Sequence, residues 1–237
     1  MTSEREAATG QPIGPVVESS PARKPEAVLL EGGFGQVEKL DAAHHGADLW
    51  DAVKGHDKIW TYLGYGPFPN RAAFSTWLAE REKLADPFSF AVVDTQGHAQ
   101  GIATLMEIRP AQRVIEVGNI FYGGDLQRTP LATEAQYLLA RHVFETLGYR
   151  RYEWKCNALN APSRRAALRF GFTFEGVFRH HMIVKGRSRD TAWYSMLDSE
   201  WPARKRSFER WLMPDNFDAG GRQKRSLSSL NAEGMKT

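Results

Sequence analysis

Cysteine is almost missing from these 237 residues: Cys156 stands alone, so no internal disulfide forms and a thiolate-rich zinc or iron–sulfur site is excluded. Long hydrophobic runs are missing too, since none approaches the roughly 18 apolar residues that span a bilayer. Met1 to Glu18 carries Glu and Pro where a secretory leader needs an apolar stretch. These absences argue against a membrane partner and against secretion, and a cytoplasmic protein is expected. Metal-ligand spacings are also lacking, with no His-x-x-x-His, clustered cysteine or paired aspartate pattern, so no metal is expected. The body of the chain has no excess charge of either sign. The net charge is +3, residues 1–30 are at −1 and residues 204–237 at +4, which leaves the middle neutral. A basic tail on a neutral body reads as a solvated terminus, and this argues against nucleic acid as a partner.

What is present suits one compact domain. Hydrophobic residues make up 42% and charged residues 25%, enough for a sizeable core. Residues 1–27 are rich in Ser, Ala, Pro, Gly and Glu without periodicity and read as a disordered extension. Residues 28–202 read as the domain, and 203–237 as a C-terminal helix with a basic tail that is loose beyond Asp218. The domain begins with a short strand at Gln36–Leu40, then helices around Leu49–Val53 and Asn70–Leu84. Strands follow at Phe88–Asp94, Ala99–Ile108 and Val114–Tyr122. Leu131, Ala135, Leu138, Leu139, Val143 and Leu147 form one face of a helix that Gly148 ends. A strand at Tyr149–Asn157, a helix at Ala161–Phe170 and a hairpin at Thr173–Val184 and Thr191–Leu197 complete the order. The strand–helix–strand succession around Leu131–Leu147 predicts a parallel pair within an otherwise antiparallel sheet. The fold class is therefore α/β (α+β), with a mixed sheet of about seven strands and helices on both faces.

Where a parallel pair separates at its carboxyl ends a crevice opens, and the helix starting there aims its amides into it. The segment Gly123–Thr133 sits at that point. Thr129 can cap the helix, Pro130 suits its first turn, and Arg128 would face an anion.

Several motifs here resemble those of the GNAT superfamily of acetyl-CoA-dependent N-acetyltransferases, and within it the RimJ/RimL-like group. Gln127-Arg128-Thr129-Pro130-Leu131-Ala132 is similar to the Gln/Arg-x-x-Gly-x-Gly/Ala pyrophosphate loop, with Pro130 in place of the central glycine. Thr133-Glu134-Ala135, Asn160-Ala161-Pro162-Ser163-Arg164, Gly171-Phe172, Glu175-Gly176 and Arg189-Asp190-Thr191 continue the resemblance. It implies a GNAT fold with a splayed parallel pair at the CoA site, acetyl-CoA as co-substrate, and direct acetyl transfer to an amine. Phe121, Tyr122, Gln127, Arg128, Thr129, Leu131, Ala132, Thr133, Asn160 and Ser163 are the implied cofactor contacts. Of the basic face Arg164, Arg165 and Arg169, Arg165 is assigned to the phosphates.

Acetyl transfer requires an acceptor amine stripped of its proton. Glu116, on the strand feeding the loop, resembles in spacing the general-base glutamate of histone-acetylating members; an ordinary exposed carboxylate is the alternative reading. His180 and His181 are rival bases, of which strand alternation lets at most one face a pocket. The leaving thiolate needs a proton or a hydrogen bond. The position where many members carry a tyrosine is Ala167, so Ser163 takes that role by resemblance, although a helix-start hydroxyl also satisfies an amide. Tyr65, in the aromatic loop Tyr62–Phe68, is expected with His180 and His181 at the acceptor. Cys156 reads as buried core. The competing reading is a non-catalytic CoA-binding regulatory module, prompted by Pro130 and Ala167. The apolar face of Phe208, Trp211 and Leu212 is expected to cover the domain or a second copy in a homodimer.

Overall fold

The computed structural model describes residues 4–234. A two-residue hairpin, β1 (Glu4–Arg5) with β2 (Pro12–Ile13), precedes an eight-stranded sheet. The sheet holds β3 (Leu29–Glu31), β4 (Gly35–Lys39), β5 (Phe88–Asp94), β6 (Ala99–Arg109), β7 (Val114–Tyr122), β8 (Arg151–Asn157), β9 (Thr173–Val184) and β10 (Arg187–Leu197). Its spatial order is β3-β4-β5-β6-β7-β8-β10-β9, and every neighbouring pair is antiparallel except β7 with β8. The three-residue β3 is the strand beyond the expected seven.

Two apolar layers cover the sheet. On one face α1 (Ala42–Val53) and α2 (Arg71–Glu82) bury Leu49, Val53, Phe74 and Leu78 against Ala91, Val93, Ile102 and Phe121. On the other, α3 (Pro130–Arg141) runs into a π-helical turn at His142–Leu147 and packs Ala135, Leu138 and Leu139 against Phe90, Val92, Ile115, Val117 and Tyr152. Gly148 ends that helix at φ 78°, a left-handed conformation that costs glycine little. The alternation Phe90/Val92 against Ala91/Val93 is that of a strand buried on both faces.

The alternation breaks once, in β7. Ile115 and Val117 face the α3 side, so Phe121 should as well, yet it belongs to the α1/α2 side. The register explains this: Thr104 pairs with Gly118 and Ile102 with Phe121, so Asn119 and Ile120 stand opposite Ala103 alone. This β-bulge, with Asn119 at φ 49°, reverses the facing of the rest of β7. The parallel ladder of β7 and β8 also stops at Val117 and Trp154. Beyond it the strands part.

Both ends of the chain depart from expectation. Residues 22–28 lie on the domain: the Ala22 and Arg23 amides donate to Pro110 and Leu147 carbonyls, and Pro25 is buried. The C-terminal segment is not loose beyond Asp218. Helix α5 (Trp201–Leu212) buries Trp201, Phe208 and Trp211, and α6 (Leu227–Glu233) buries Leu227 and Leu230. Phe208 packs on Tyr137 and Phe170, so the apolar face of α5 is covered within its own chain. No described helix is long and apolar enough to cross a membrane.

Candidate active site

The parting of β7 and β8 creates two hollows that meet. A cleft of about 750 Å³ lies between the α3 N-terminus, helix α4 (Ala161–Arg169) and the C-terminal segment. A cavity of about 340 Å³ lies between β7, β8, β10 and the loop at Tyr62–Gly64. Ile59, Ile120, Trp154, Asn160 and Ser163 line both.

At the cleft, Thr129 caps α3 by accepting the Ala132 amide at 3.1 Å, while its hydroxyl donates to the Leu126 carbonyl at 2.7 Å. With Pro130 lacking an amide hydrogen and the Ala132 amide engaged, this helix start offers fewer donors than a glycine loop would. Cationic side chains stand there instead. Arg128, Arg169 and Arg222 line the cleft, and among the described residues no Asp or Glu does. Arg169 donates to Thr133 Oγ1 at 3.0 Å and lies over the Trp211 ring at 4.9 Å. Burial lowers its pKa, and none of the ion pairs among the described residues includes it. A desolvated arginine without a counter-ion fits the phosphate-bearing part of a CoA thioester.

Of the residues that the sequence assigns to the cofactor, Phe121, Tyr122, Gln127, Arg128, Ala132, Thr133, Asn160 and Ser163 line this cleft. The other three do not line it. Leu131 is turned into the core, Thr129 serves as cap, and Arg165 is exposed. The cleft-lining stripe of α4 and its cap is Pro162, Ser163, Ala166, Arg169 and Phe170, and Arg165 lies about a quarter turn from its centre, beyond its edge. Gln127 also closes its own turn, donating to the Tyr122 carbonyl at 2.9 Å.

In the cavity the central group is Glu116, 5% exposed. Burial pushes its carboxyl up to about 7, against the pull of the Lys155 ammonium 2.9 Å away. Lys155 also lies 3.0 Å from Glu153 and 4.1 Å above the Trp193 ring. Burial disfavours ionisation of Glu153, but hydrogen bonds from Arg151 and Lys155 and the charges of Lys155 and Arg109 outweigh it and hold the carboxyl below the usual range. Glu153 thus anchors Lys155, and Lys155 limits how far Glu116 rises.

His181 lines the cavity, its Nδ1 3.0 Å from Thr191 Oγ1. His180 does not: at φ 50° it is exposed, its amide donating to Asp190. Tyr65 does not line it either. It packs on Trp77 and Trp60 and donates to the Asn119 carbonyl at 3.4 Å, behind the bulge, while Tyr62 and Gly64 reach the cavity wall. At the junction, Trp154 Nε1 donates to Ser163 Oγ at 3.0 Å. An indole nitrogen only donates, so the proton of Ser163 remains available to a further acceptor. Burial pushes the Cys156 thiol up, as for a core cysteine. One group of potential metal ligands, Glu38, His44 and His45, occurs among the described residues. His45 Nδ1 takes the Asp41 amide and Nε2 meets Glu38 at 2.7 Å, so both ring nitrogens are engaged.

Sequence reasoning gave no site role to Lys155, to Glu153 behind it, to Arg189, or to the C-terminal wall of Trp211, Phe217, Arg222 and Gln223. A signal existed for the first two: charged residues alternating with Tyr152, Trp154 and Cys156 inside a strand imply a polar pocket on one face.

Residues 38–173 match the family model of the acetyltransferase (GNAT) domain. The chain is 49% identical to a GCN5-related N-acetyltransferase from Brucella melitensis, over 90% of this chain and 98% of that one, with a TM-score of 0.88. It is 42% identical to a probable GNAT-family acetyltransferase from Chromobacterium violaceum, over 81% and 98%, with a TM-score of 0.76. With the ribosomal L7/L12 alpha-N-protein acetyltransferase RimL, 17% identical over 75% and 98%, it shares the fold at a TM-score of 0.63. No curated protein matches at a significant level. The matched domain, the splayed parallel strands and the two joined hollows agree, and the chain belongs to the GNAT family of acetyltransferases.

Proposed function

We propose that the protein transfers the acetyl group of acetyl-CoA directly to a primary amine, at a protein N-terminus or on a small molecule, within a ternary complex. The observation that carries this reading is the division of charge across the splay. Arginines without a carboxylate line the cleft on one side, and a carboxyl raised to about 7 stands in the cavity on the other. The first suits a polyanionic carrier and the second an amine that must lose a proton.

In this reading Arg128, Arg169 and Arg222 hold the phosphates, and Asn160 lies along the pantetheine arm. The co-substrate supplies an activated acyl carbon at the junction. Glu116 takes the proton of the acceptor ammonium, directly or through one water, and Lys155 keeps its carboxyl ionisable near neutrality. The backbone at Asn119 and Ile120, freed from β8 and displaced by the bulge, donates to the oxygen that gains charge. Ser163, held by Trp154, donates a hydrogen bond to the departing sulfur, which leaves as the thiolate. His181, which lines the same cavity, is the rival acceptor of that proton.

Calorimetric titration with acetyl-CoA, followed by thiol release over a panel of peptides and small amines, tests the proposal. Binding with turnover that Glu116→Gln abolishes is the expected result. Absence of binding overturns the cofactor assignment. Binding without turnover on any amine favours the non-catalytic module.

A further inference from the structure

The acceptor cavity contains two cationic side chains whose surroundings differ. Lys155 is matched, lying 2.9 Å from Glu116 and 3.0 Å from Glu153. Arg189 lines the same cavity half-buried, and none of the ion pairs among the described residues includes it. Its one hydrogen bond runs from Nε to Thr191 Oγ1 at 3.1 Å. The same hydroxyl meets His181 Nδ1 at 3.0 Å, so the guanidinium is held in place from behind. Both terminal nitrogens remain without a partner among the described residues. Burial lowers the pKa of Arg189, with Glu116 and Cys156 opposing, yet a guanidinium stays charged at any working pH. A positioned planar cation lacking its anion, inside a substrate cavity, is complementary to a carboxylate.

We propose that the acceptor of this enzyme carries a carboxylate as well as an amine, and that Arg189 receives the carboxylate while Glu116 faces the amine. The inference rests on the acetyl-transfer reading above and deepens it. Arg189 and Glu116 share a cavity of about 340 Å³, so the two groups of the acceptor belong within the span of one amino-acid residue. Glu116 repels the carboxylate and Arg189 the ammonium, which fixes the orientation of the acceptor. Two sources have this chemistry: a free α-amino acid, and a peptide whose first residue is acidic.

Matched pairs of acceptors separate them. An amino acid is compared with its amide, and a peptide beginning with Asp with one beginning with Asn, for the wild type, Arg189→Leu and Arg189→Lys. The wild type is expected to favour the carboxylate member of one pair by about tenfold or more in kcat/KM, as charged hydrogen bonds do. Arg189→Leu is expected to lose that preference, mainly through KM, with its rate on the neutral member retained, and Arg189→Lys to recover part of it. Acetyl-CoA binding, measured calorimetrically on all three, is expected to be unchanged. Normal acetyl-CoA binding with equal use of both members of each pair overturns this inference alone; normal binding with no use of these acceptors, while another amine of the panel is acetylated, does the same. So does a uniform loss of rate on both members in Arg189→Leu, the mark of a structural role. Absence of acetyl-CoA binding by the wild type overturns the acetyl-transfer reading itself.

Discussion

The cleft and the cavity that meet at Ser163 are built from the same splayed strands, yet they treat charge in opposite ways. The cleft concentrates positive charge and leaves it open, with Arg128, Arg169 and Arg222 and no carboxylate along its walls. At the cavity the central carboxyl is paired: Glu116 with Lys155, and behind them Lys155 with Glu153 and Glu153 with Arg109 and Arg151, while Arg189 stands outside the ion pairs among the described residues. An open cluster of cations attracts an anion of fixed charge. A paired, buried cluster tunes a proton affinity instead, because a carboxylate and an ammonium in a dry site each set how readily the other ionises. The cleft therefore reads as a place for binding and the cavity as a place for chemistry.

The division is most severely tested at Glu116. Glu116→Gln is expected to lower kcat by about 100-fold or more, the usual worth of a general base, with acetyl-CoA affinity unchanged in calorimetry. For the wild type, kcat/KM should rise with pH through about 7 as this carboxyl loses its proton. A profile flat from pH 5 to 8 removes Glu116 as the base. Ser163→Ala, at the junction, should lower kcat by about tenfold or more with little change in KM. A loss confined to KM would make the serine a binding group. On the cleft side, Arg169→Ala should weaken acetyl-CoA by about tenfold, in line with loss of a charged hydrogen bond, and leave the acceptor KM unchanged. An effect on the acceptor instead would break the comparison. The smallest change concerns Lys155. Because its ammonium favours the ionised form of Glu116, Lys155→Met should move the acidic limb of the profile above about 7 and cost a few-fold in rate at neutral pH, restored at higher pH.

How much of this could be read beforehand differs between local and distant features. The helix from Pro130, its Thr129 cap and its Gly148 stop follow from near neighbours in sequence, and the structure shows all three. Strand alternation allows one of His180 and His181 to face the pocket, and it is His181. Which arginine of α4 meets the cleft depends on where that helix is rotated against β8 and α6, so Arg169 and Arg165 were not separable by spacing. Tyr65 and Tyr62 share one aromatic loop; packing on Trp60 and Trp77 turns the first into the core. The basic tail has the composition of a solvated end. Trp211 and Leu227 nevertheless bury against the domain, and this brings Arg222 and Gln223 to the cleft.

By itself the sequence determined the order of strands and helices from β4 to α5, the single parallel crossover and hence the position of the crevice, and the motifs that place the chain among acetyltransferases. The order and the crossover rest on periodicity, caps and chain connectivity, which act over a few residues or through the handedness of one crossover, and the motifs rest on their resemblance to a known family. Only the tertiary structure decided which charges are paired and which are open. Glu116 rises to about 7 because burial removes water from it while Lys155, 39 positions along the chain, comes within 2.9 Å. Proximity and desolvation of that kind exist only once the sheet has assembled.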